Sequence, residues 1–192
     1  MKETFINLCR EHIHRDGIEN LLSWLERSDF FEAPASTRFH GSYSGGLVEH
    51  SLNVYNEMKR LIAVYPEISA SEETLAIITL FHDLCKVNTY KVEQRNRKNE
   101  HGVWESYDVF TFEEKFCFGG HGSKSMFLAN NFIKLTPEEA VAINCHMGFS
   151  DATNINSVSS AFENYPLAWL LHVADSSAAY ILENKKIKNE HK

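Results

Sequence analysis

The chain has 192 residues, of which 43% are hydrophobic and 23% are charged, the proportions of an ordinary globular protein. This composition excludes collagen-like, intrinsically disordered and disulfide-rich scaffold proteins. The formal net charge of -7 repels polyanions, so the charge of the whole molecule gives no general indication of nucleic-acid binding. Because domains commonly contain about 100 to 200 residues, we predict a single domain over residues 1–192.

Cysteine spacing and apolar runs predict where the protein resides. The four cysteines contain no Cys-x-x-Cys pair, which indicates reduced thiols rather than a disulfide framework or a zinc knuckle. No apolar run approaches the roughly 18 residues that a membrane span requires, and the opening residues lack the layout of a secretion signal. We therefore expect a cytoplasmic protein without a membrane partner.

Helical periodicity runs through most of the chain and is interrupted by turn residues. The first helical stretch is broken near Gly17, Pro66 ends the helix that precedes it, and Ser71 provides an N-cap for the next helix. The charged residues 183–192 are predicted to extend into solvent. The predicted helices cover residues 1–27, 47–65, 71–86, 121–133, 137–147 and 166–185, with a loop at about 30–46.

The periodicity changes in residues 87–118. Alternating apolar residues such as Tyr90 and Val92 before the polar stretch 96–102, and Val109 after it, are typical of a β-hairpin. The fold class predicted from these elements is mainly α, a helical bundle with a small β-hairpin insertion.

Histidine is the unusual feature of the composition, with 10 in 192 residues. Four of them, His50, His82, His121 and His146, stand in segments that otherwise read as helix. Asp83 follows His82 directly, near the end of an apolar helix. Burial of a carboxylate is costly unless the group is paired or coordinated, and a metal ion would supply that pairing.

Further candidate ligands lie on other predicted helices. Neighbouring residues of a helix point about 100° apart, so His82 and Asp83 cannot lie on one narrow face of their helix. Both can still reach one ion that lies between this helix and its neighbours. Asp175 lies in the middle of another apolar helix and offers a second carboxylate at such a junction. Imidazole with carboxylate suits Mn, Fe, Ni, Zn or Co, and Mg is also compatible with the set.

Six short fragments then occur in an ordered series, at residues 34–40, 45–51, 82–86, 120–122, 146–148 and 171–175. In this order they resemble the HD superfamily of metal-dependent phosphohydrolases, helical domains named after a His-Asp pair, here His82-Asp83. The similarity extends over about residues 30–182, the expected core of the domain. It is strongest to small bacterial and phage HD family hydrolases and more distant to the HD domain of a 3'-5' exoribonuclease.

The resemblance implies two divalent metal ions held side by side, with Asp83 bridging them. Two departures from the family pattern leave the ligands in place: Cys85 stands where a glycine is common, and Met147 replaces the second histidine of a doublet. The family's Gly-Tyr-Pro signature for cyclic di-GMP cleavage is absent. The implied ligands are His50, His82, Asp83 and Asp175 for the first ion, with His121 and His146 added for the second.

The resemblance also implies a reaction. Asp83 and Lys86 are the predicted catalytic residues, and the ammonium of Lys86 would neutralise a substrate phosphate. His40 would contact the phosphate or the leaving group, and His172 would orient Asp175. The predicted function is hydrolysis of a phosphoester of a nucleotide or related small molecule by metal-activated water.

Two other functions stay open at this point. The basic residues Lys91, Arg95, Arg97 and Lys98 of the hairpin, beside Trp104, are compatible with a 3'-5' nuclease that grips single-stranded RNA or DNA by charge and stacking. A nucleotide-binding sensor that kept the pocket without turnover is the non-catalytic alternative.

Overall fold

A computed structural model describes residues 1–151 and 155–184 of the chain. Within these residues, eight α-helices and one antiparallel pair of strands confirm the predicted mainly α fold with a β-hairpin insertion. The elements are α1 (Lys2–His12), α2 (Ile18–Arg27), α3 (Gly46–Val64), α4 (Glu72–Leu80), β1 (Tyr90–Lys98), β2 (Trp104–Phe112), α5 (His121–Asn130), α6 (Pro137–Cys145), α7 (Ile155–Asn164) and α8 (Pro166–Ser177).

The core forms where α3 packs against α4 and α8, while α6 packs against α8 and α5. α1 closes one side of this arrangement against α4. The buried ring of Phe5 lies 5.0 Å from that of Phe30 and 6.2 Å from that of Phe81, measured between centroids. Because Phe81 directly follows α4, close packing of this kind fixes the end of that helix.

The strands β1 and β2 pair in register from Tyr90 with Phe112 at one end to Lys98 with Trp104 at the other. Most of β1 is exposed to solvent. The end of the hairpin that carries Tyr90 and Phe112 borders the large cleft of the protein. The hairpin therefore contributes one wall of that cleft.

Helix boundaries differ from the sequence prediction at three places. The helix predicted over 71–86 ends at Leu80, and α7 was not predicted at all. The helix predicted over 166–185 is α-helical only to Ser177 and continues as a π-turn over Ala178–Leu182. The prediction for residues 185–192 lies outside the described part of the chain.

A partly buried ion pair joins the segment between α1 and α2 to α6. Arg15 Nη2 donates to Glu139 Oε1 at 2.8 Å, and Thr74 Oγ1 donates to the same oxygen at 3.0 Å. Glu139 also completes the capping box of α6 with Thr136. Burial raises the pKa of the Glu139 carboxyl, but the hydrogen bonds from Arg15 and Thr136 outweigh burial and hold it below the ordinary 4.5.

We expect Glu139→Gln to lower the free energy of unfolding by about 1–3 kcal/mol at neutral pH, because it removes the buried carboxylate and leaves Arg15 only Glu73, at 3.5 Å. The stabilising contribution of ionised Glu139 is complete above pH 4.5 and is lost as the pH falls through the lowered folded-state pKa. The difference between variant and wild type should therefore shrink at acidic pH. Urea denaturation as a function of pH measures it, with Glu138→Gln in the same helical turn as control, and equal stability of both variants at pH 7 contradicts the account.

Candidate metal centre

His82 and Asp83 lie in a break directly after α4, whereas the sequence predicted a helix through residue 86. The Nδ1–H of His82 donates a hydrogen bond of 2.7 Å to the carbonyl oxygen of Thr79. In a continued α-helix that oxygen would accept from the backbone N–H of Asp83, so the histidine ring competes with the helix and ends it. The chain resumes as a 3-10 turn over Leu84–Lys86. Both side chains turn inward, and His82 and Asp83 are 0% and 3% exposed.

His146 repeats this arrangement at the end of α6. Its Nδ1–H donates to the carbonyl oxygen of Ile143 at 2.7 Å. The Nδ1–H of His172 in turn donates to the backbone oxygen of His146 at 2.7 Å, so His172 fixes this turn rather than orienting Asp175 as expected. Gly148, two residues after His146, has φ of 57°, and a Cβ there would lie 2.7 Å from the His172 ring. Only glycine fits this position without strain.

His50 and Asp175 come together because α3 packs against α8. His50 Nε2 lies 3.0 Å from Asp175 Oδ1. On the other edge of the ring, the Nδ1–H of His50 donates to Glu183 Oε1 at 3.0 Å. The imidazole is therefore held on both edges by carboxylates from the C-terminal part of the chain.

Asp83 lies at the centre of these side chains. Its Oδ2 is 3.6 Å from His50 Nε2 and 3.4 Å from His82 Nε2, and its Oδ1 is 3.7 Å from His146 Nε2. His82 Nε2 is also 3.9 Å from Asp175 Oδ1. Potential ligand atoms lie within 4.8 Å of one another in the group of His50, His82 and Asp83, and again in the group of His82, His146 and Asp175. Five of the six predicted ligands thus meet in one buried cluster.

The fit of this cluster to a metal ion rests on its three histidines. Each one donates its Nδ1–H to an oxygen, so a neutral ring carries its lone pair on Nε2. These three Nε2 atoms are buried and have no hydrogen-bond partner of good geometry among the described residues. Orphaned lone pairs beside carboxylate oxygens are unfavourable in an interior unless a cation lies between them. Three imidazoles with two carboxylates suit Mn, Fe, Co, Ni or Zn.

The charges of the cluster are strongly coupled. Burial raises the pKa of the Asp83 carboxyl, but Lys86 and His82 outweigh burial and hold it well below its ordinary value. Burial also raises the pKa of Asp175, and the His50 imidazole, with Nε2 3.0 Å from Oδ1, brings it below the ordinary value. For His50, burial lowers the pKa, while the Asp175 and Glu183 carboxylates raise it to about 9, so Nε2 takes up a proton at neutral pH unless a metal ion replaces that proton. Two ionised carboxylates in an interior favour a cation at the point they share.

His121 is the predicted ligand that lies outside these groups, as far as the described residues go. It is exposed at the start of α5, and its Nδ1 lies 3.4 Å from Cys85 Sγ. Burial and the nearby Asp83 raise the pKa of the Cys85 thiol to about 12, so Cys85 offers no thiolate at neutral pH. His121 lines the same cleft as Asp83, and its part in a second ion site stays a prediction.

Lys86 and His40, the predicted substrate-binding residues, also line this cleft. Lys86 Nζ donates to Asp83 Oδ2 at 2.6 Å, so its ammonium lies beside the central carboxylate. The ring of His40 packs against that of His50, with 4.8 Å between centroids, and burial lowers the His40 pKa to about 4. A cationic Lys86 and a neutral His40 therefore border the same space.

Glu183 is a residue of the site that sequence reasoning missed. The sequence predicts solvent exposure for residues 183–192, but Glu183 is buried, with 6% of its surface exposed. Its Oε1 accepts hydrogen bonds from His50 and, at 2.9 Å, from Asn53 Nδ2. No local sequence pattern predicts the burial of Glu183, because a carboxylate in a charged segment is usually exposed to solvent.

The HD domain family matches residues 47–180, about two thirds of the chain, and the chain therefore belongs to this family. It is also similar to the dihydroneopterin 2',3'-cyclic phosphate phosphodiesterase of Methanocaldococcus jannaschii, with 27% identity over 154 residues. That alignment covers 78% of this chain and 53% of the relative, so the chain spans about half the length of the relative. No solved structure gave a significant match.

The family match confirms the predicted membership of the HD superfamily. HD domains bind divalent metal ions, and the clusters of histidine and aspartate are able to hold them. No helix among residues 1–151 and 155–184 has the length and apolar character needed to cross a membrane.

We expect Asp83→Ala to reduce the affinity for Mn²⁺ by more than about 100-fold, because it removes the carboxylate that faces all three histidines. Isothermal titration of chelator-treated protein measures this affinity. Asp108→Ala, at an exposed position of β2, is the matched control and should bind as the wild type does. Equal affinity of the two variants contradicts the assignment of the cluster.

Proposed function

We propose that this chain is a metal-dependent phosphodiesterase that hydrolyses a phosphoester of a nucleotide or related small molecule. The observation that carries the proposal is the buried cluster itself, in which three unpartnered Nε2 atoms face two carboxylates. Asp83 and Asp175 of this cluster open onto a cleft of about 800 Å³, a volume typical of small-molecule sites.

The proposed ligands of a first ion are His50, His82, Asp83 and Asp175, and His146 with His121 would serve a second. When bound, such ions lower the pKa of the attacking water and stabilise charge on the phosphoryl oxygens. Asp83 is suited to bridging, because its two oxygens face different histidines.

Lys86 supplies positive charge from the protein. Its ammonium beside Asp83 borders the cleft, where it would neutralise charge that develops on the phosphoryl group. His40, a neutral imidazole on the same wall, would hold the phosphate or the leaving group by a hydrogen bond. Both roles follow from position relative to the cluster.

Exposed aromatic side chains surround the mouth of this cleft and support a substrate that carries a flat ring. Phe39 is 81% exposed and Tyr180 is 74% exposed, and Phe112 and Phe149 are also exposed along the same cleft. They come from four separate parts of the chain. Stacking of a heteroaromatic ring on such side chains contributes about 1–3 kcal/mol for each ring. A nucleobase or a pterin, the ring in the substrate of the M. jannaschii relative, fits this mouth.

The two alternative functions have weaker support. For the nuclease, acidic residues of the hairpin offset part of its positive charge. Arg97 pairs with Glu105 at 2.6 Å, and Lys91 pairs with Glu93 at 3.0 Å. Lys98 lies over the ring of Trp104, 5.5 Å from its centroid. A nucleotide sensor needs a cleft for its ligand but no site that activates water, so this function alone does not explain the buried cluster of histidine and aspartate.

The experiment that tests the proposal is a hydrolysis screen of the pure protein with Mn²⁺, Ni²⁺ or Mg²⁺. The substrates are 2',3'-cyclic nucleotides, dihydroneopterin 2',3'-cyclic phosphate, mononucleotides and short single strands. We expect metal-dependent turnover of a small phosphoester that Asp83→Ala abolishes. Turnover of single strands alone would favour the nuclease, and metal binding without turnover of any substrate would favour the sensor.

We expect Lys86→Met to lower kcat by about 100-fold on the best substrate of this screen, because it removes the cation beside the phosphoryl group. Metal content should stay within twofold of the wild type, which elemental analysis measures. Lys91→Met in β1 is the control for loss of a surface charge. Wild-type kcat in the Lys86 variant contradicts the role.

We expect Tyr180→Ala to raise KM for the ring-bearing substrate about tenfold, because it removes one stacking surface. Glycerol 1,2-cyclic phosphate has no ring, and its KM should not change. Tyr65→Ala, at an exposed tyrosine that follows α3, is the matched control. An equal change of KM for both substrates would show that the mouth does not recognise a ring.

A further inference from the structure

A further group of possible ligands lies on the edge of His50 that faces away from the metal centre. It consists of His40, Glu183 and His50 itself, whose potential ligand atoms lie within 4.8 Å of one another. This spacing alone would admit a separate cation. The hydrogen bonds argue for another use, however, because Glu183 Oε1 already accepts from His50 Nδ1–H and from Asn53 Nδ2. When His50 is neutral, its single lone pair is on Nε2, toward Asp83 and Asp175, so its Nδ1 is not available to a second cation.

The three histidines of the metal centre differ in what orients them. His82 and His146 each donate Nδ1–H to a backbone carbonyl three residues earlier in the chain. His50 donates instead to the side chain of Glu183, 133 residues away. The orientation of this one ring therefore depends on how the C-terminal segment packs against α3.

The π-turn after α8 brings Glu183 to this position. The backbone N–H of Glu183 donates to the carbonyl oxygen of Ala178 at 2.9 Å, a bond across five residues. The turn over Ala178–Leu182 packs against α3 and places Glu183 beside His50 and Asn53. Asp175 and Glu183, from one continuous segment, thereby contact opposite edges of the same imidazole at 3.0 Å each.

We infer that Glu183 is a positioning residue of the metal centre, which fixes the ring and the tautomer of His50 so that Nε2 faces the bound cation. The inference rests on the proposed function, because His50 must be a metal ligand for its orientation to matter. Glu183 lies beyond the residues that match the family, 47–180. A carboxylate that accepts from a ligating imidazole also raises the basicity of the ligand, and its loss typically costs 10–100-fold in metal affinity.

Two variants and a control separate positioning from folding. Glu183→Ala removes the acceptor, and Glu183→Gln keeps an acceptor of the same shape without the charge. Glu163→Gln, at an exposed position of α7, is the matched control. Circular dichroism and thermal unfolding establish that each protein is folded, and titration with Zn²⁺ alone measures the affinity.

We expect the Kd for Zn²⁺ to rise about 10–100-fold in Glu183→Ala, less in Glu183→Gln, and not at all in Glu163→Gln. In Zn²⁺-loaded protein labelled with ¹⁵N-histidine, the wild type and Glu183→Gln should show a slowly exchanging, downfield Nδ1–H resonance of His50. Glu183→Ala should lose this signal, which a purely structural defect elsewhere would not remove. If Glu183→Ala does not fold, a reduced affinity of Glu183→Gln for Zn²⁺ supports the positioning role.

The inference is overturned if a folded Glu183→Ala binds Zn²⁺ with the affinity of the wild type. If the alanine variant does not fold, wild-type affinity in Glu183→Gln overturns it. Persistence of the His50 Nδ1–H signal in Glu183→Ala also overturns it. These results leave the proposed function intact as long as the wild type binds Zn²⁺ and His82→Ala does not. A wild-type protein that binds no Zn²⁺ overturns the proposed function and the inference together.

Discussion

The arrangement of the helices depends on one electrostatic constraint, the burial of two ionised carboxylates among three imidazole rings. Asp83 is 3% exposed, and all three of its histidine neighbours are fully buried. Charges in an interior are tolerated only with compensation, which Lys86 supplies on one side and a cation held by the Nε2 atoms would supply on the other. Four separate helices end or pass at this cluster, so the packing of the bundle and its chemistry are linked.

Five of the six ligands predicted from the ordered His and Asp fragments lie in this cluster, while their role as ligands stays a prediction. The sequence could not predict how His82 enters the cluster. The end of α4 is decided by a side chain that takes the carbonyl of Thr79, a competition that periodicity does not record. The sequence did not predict α7, because its buried apolar residues, such as Val158 and Ala161, are separated by serine and asparagine, which favour turns. Glu183 was missed because its burial depends on a π-turn.

The cleft above the cluster divides into two chemical zones. Its floor carries Asp83, Asp175 and Lys86, groups that recognise metal ions and phosphate, whereas its mouth carries exposed rings such as Phe39 and Tyr180. Exposed rings gathered at one site cost solvation free energy unless a ligand covers them. The two zones together describe a ligand with a phosphoester at one end and a flat ring at the other.

The central claim is that the buried histidines and aspartates hold a divalent cation. The most direct test is anomalous X-ray diffraction from crystals of the protein grown with Mn²⁺. We expect an anomalous peak at bonding distance from His50, His82 and Asp83, with Asp175 as a further ligand. An occupied peak elsewhere, or none at this cluster in Mn²⁺-saturated crystals, would contradict it.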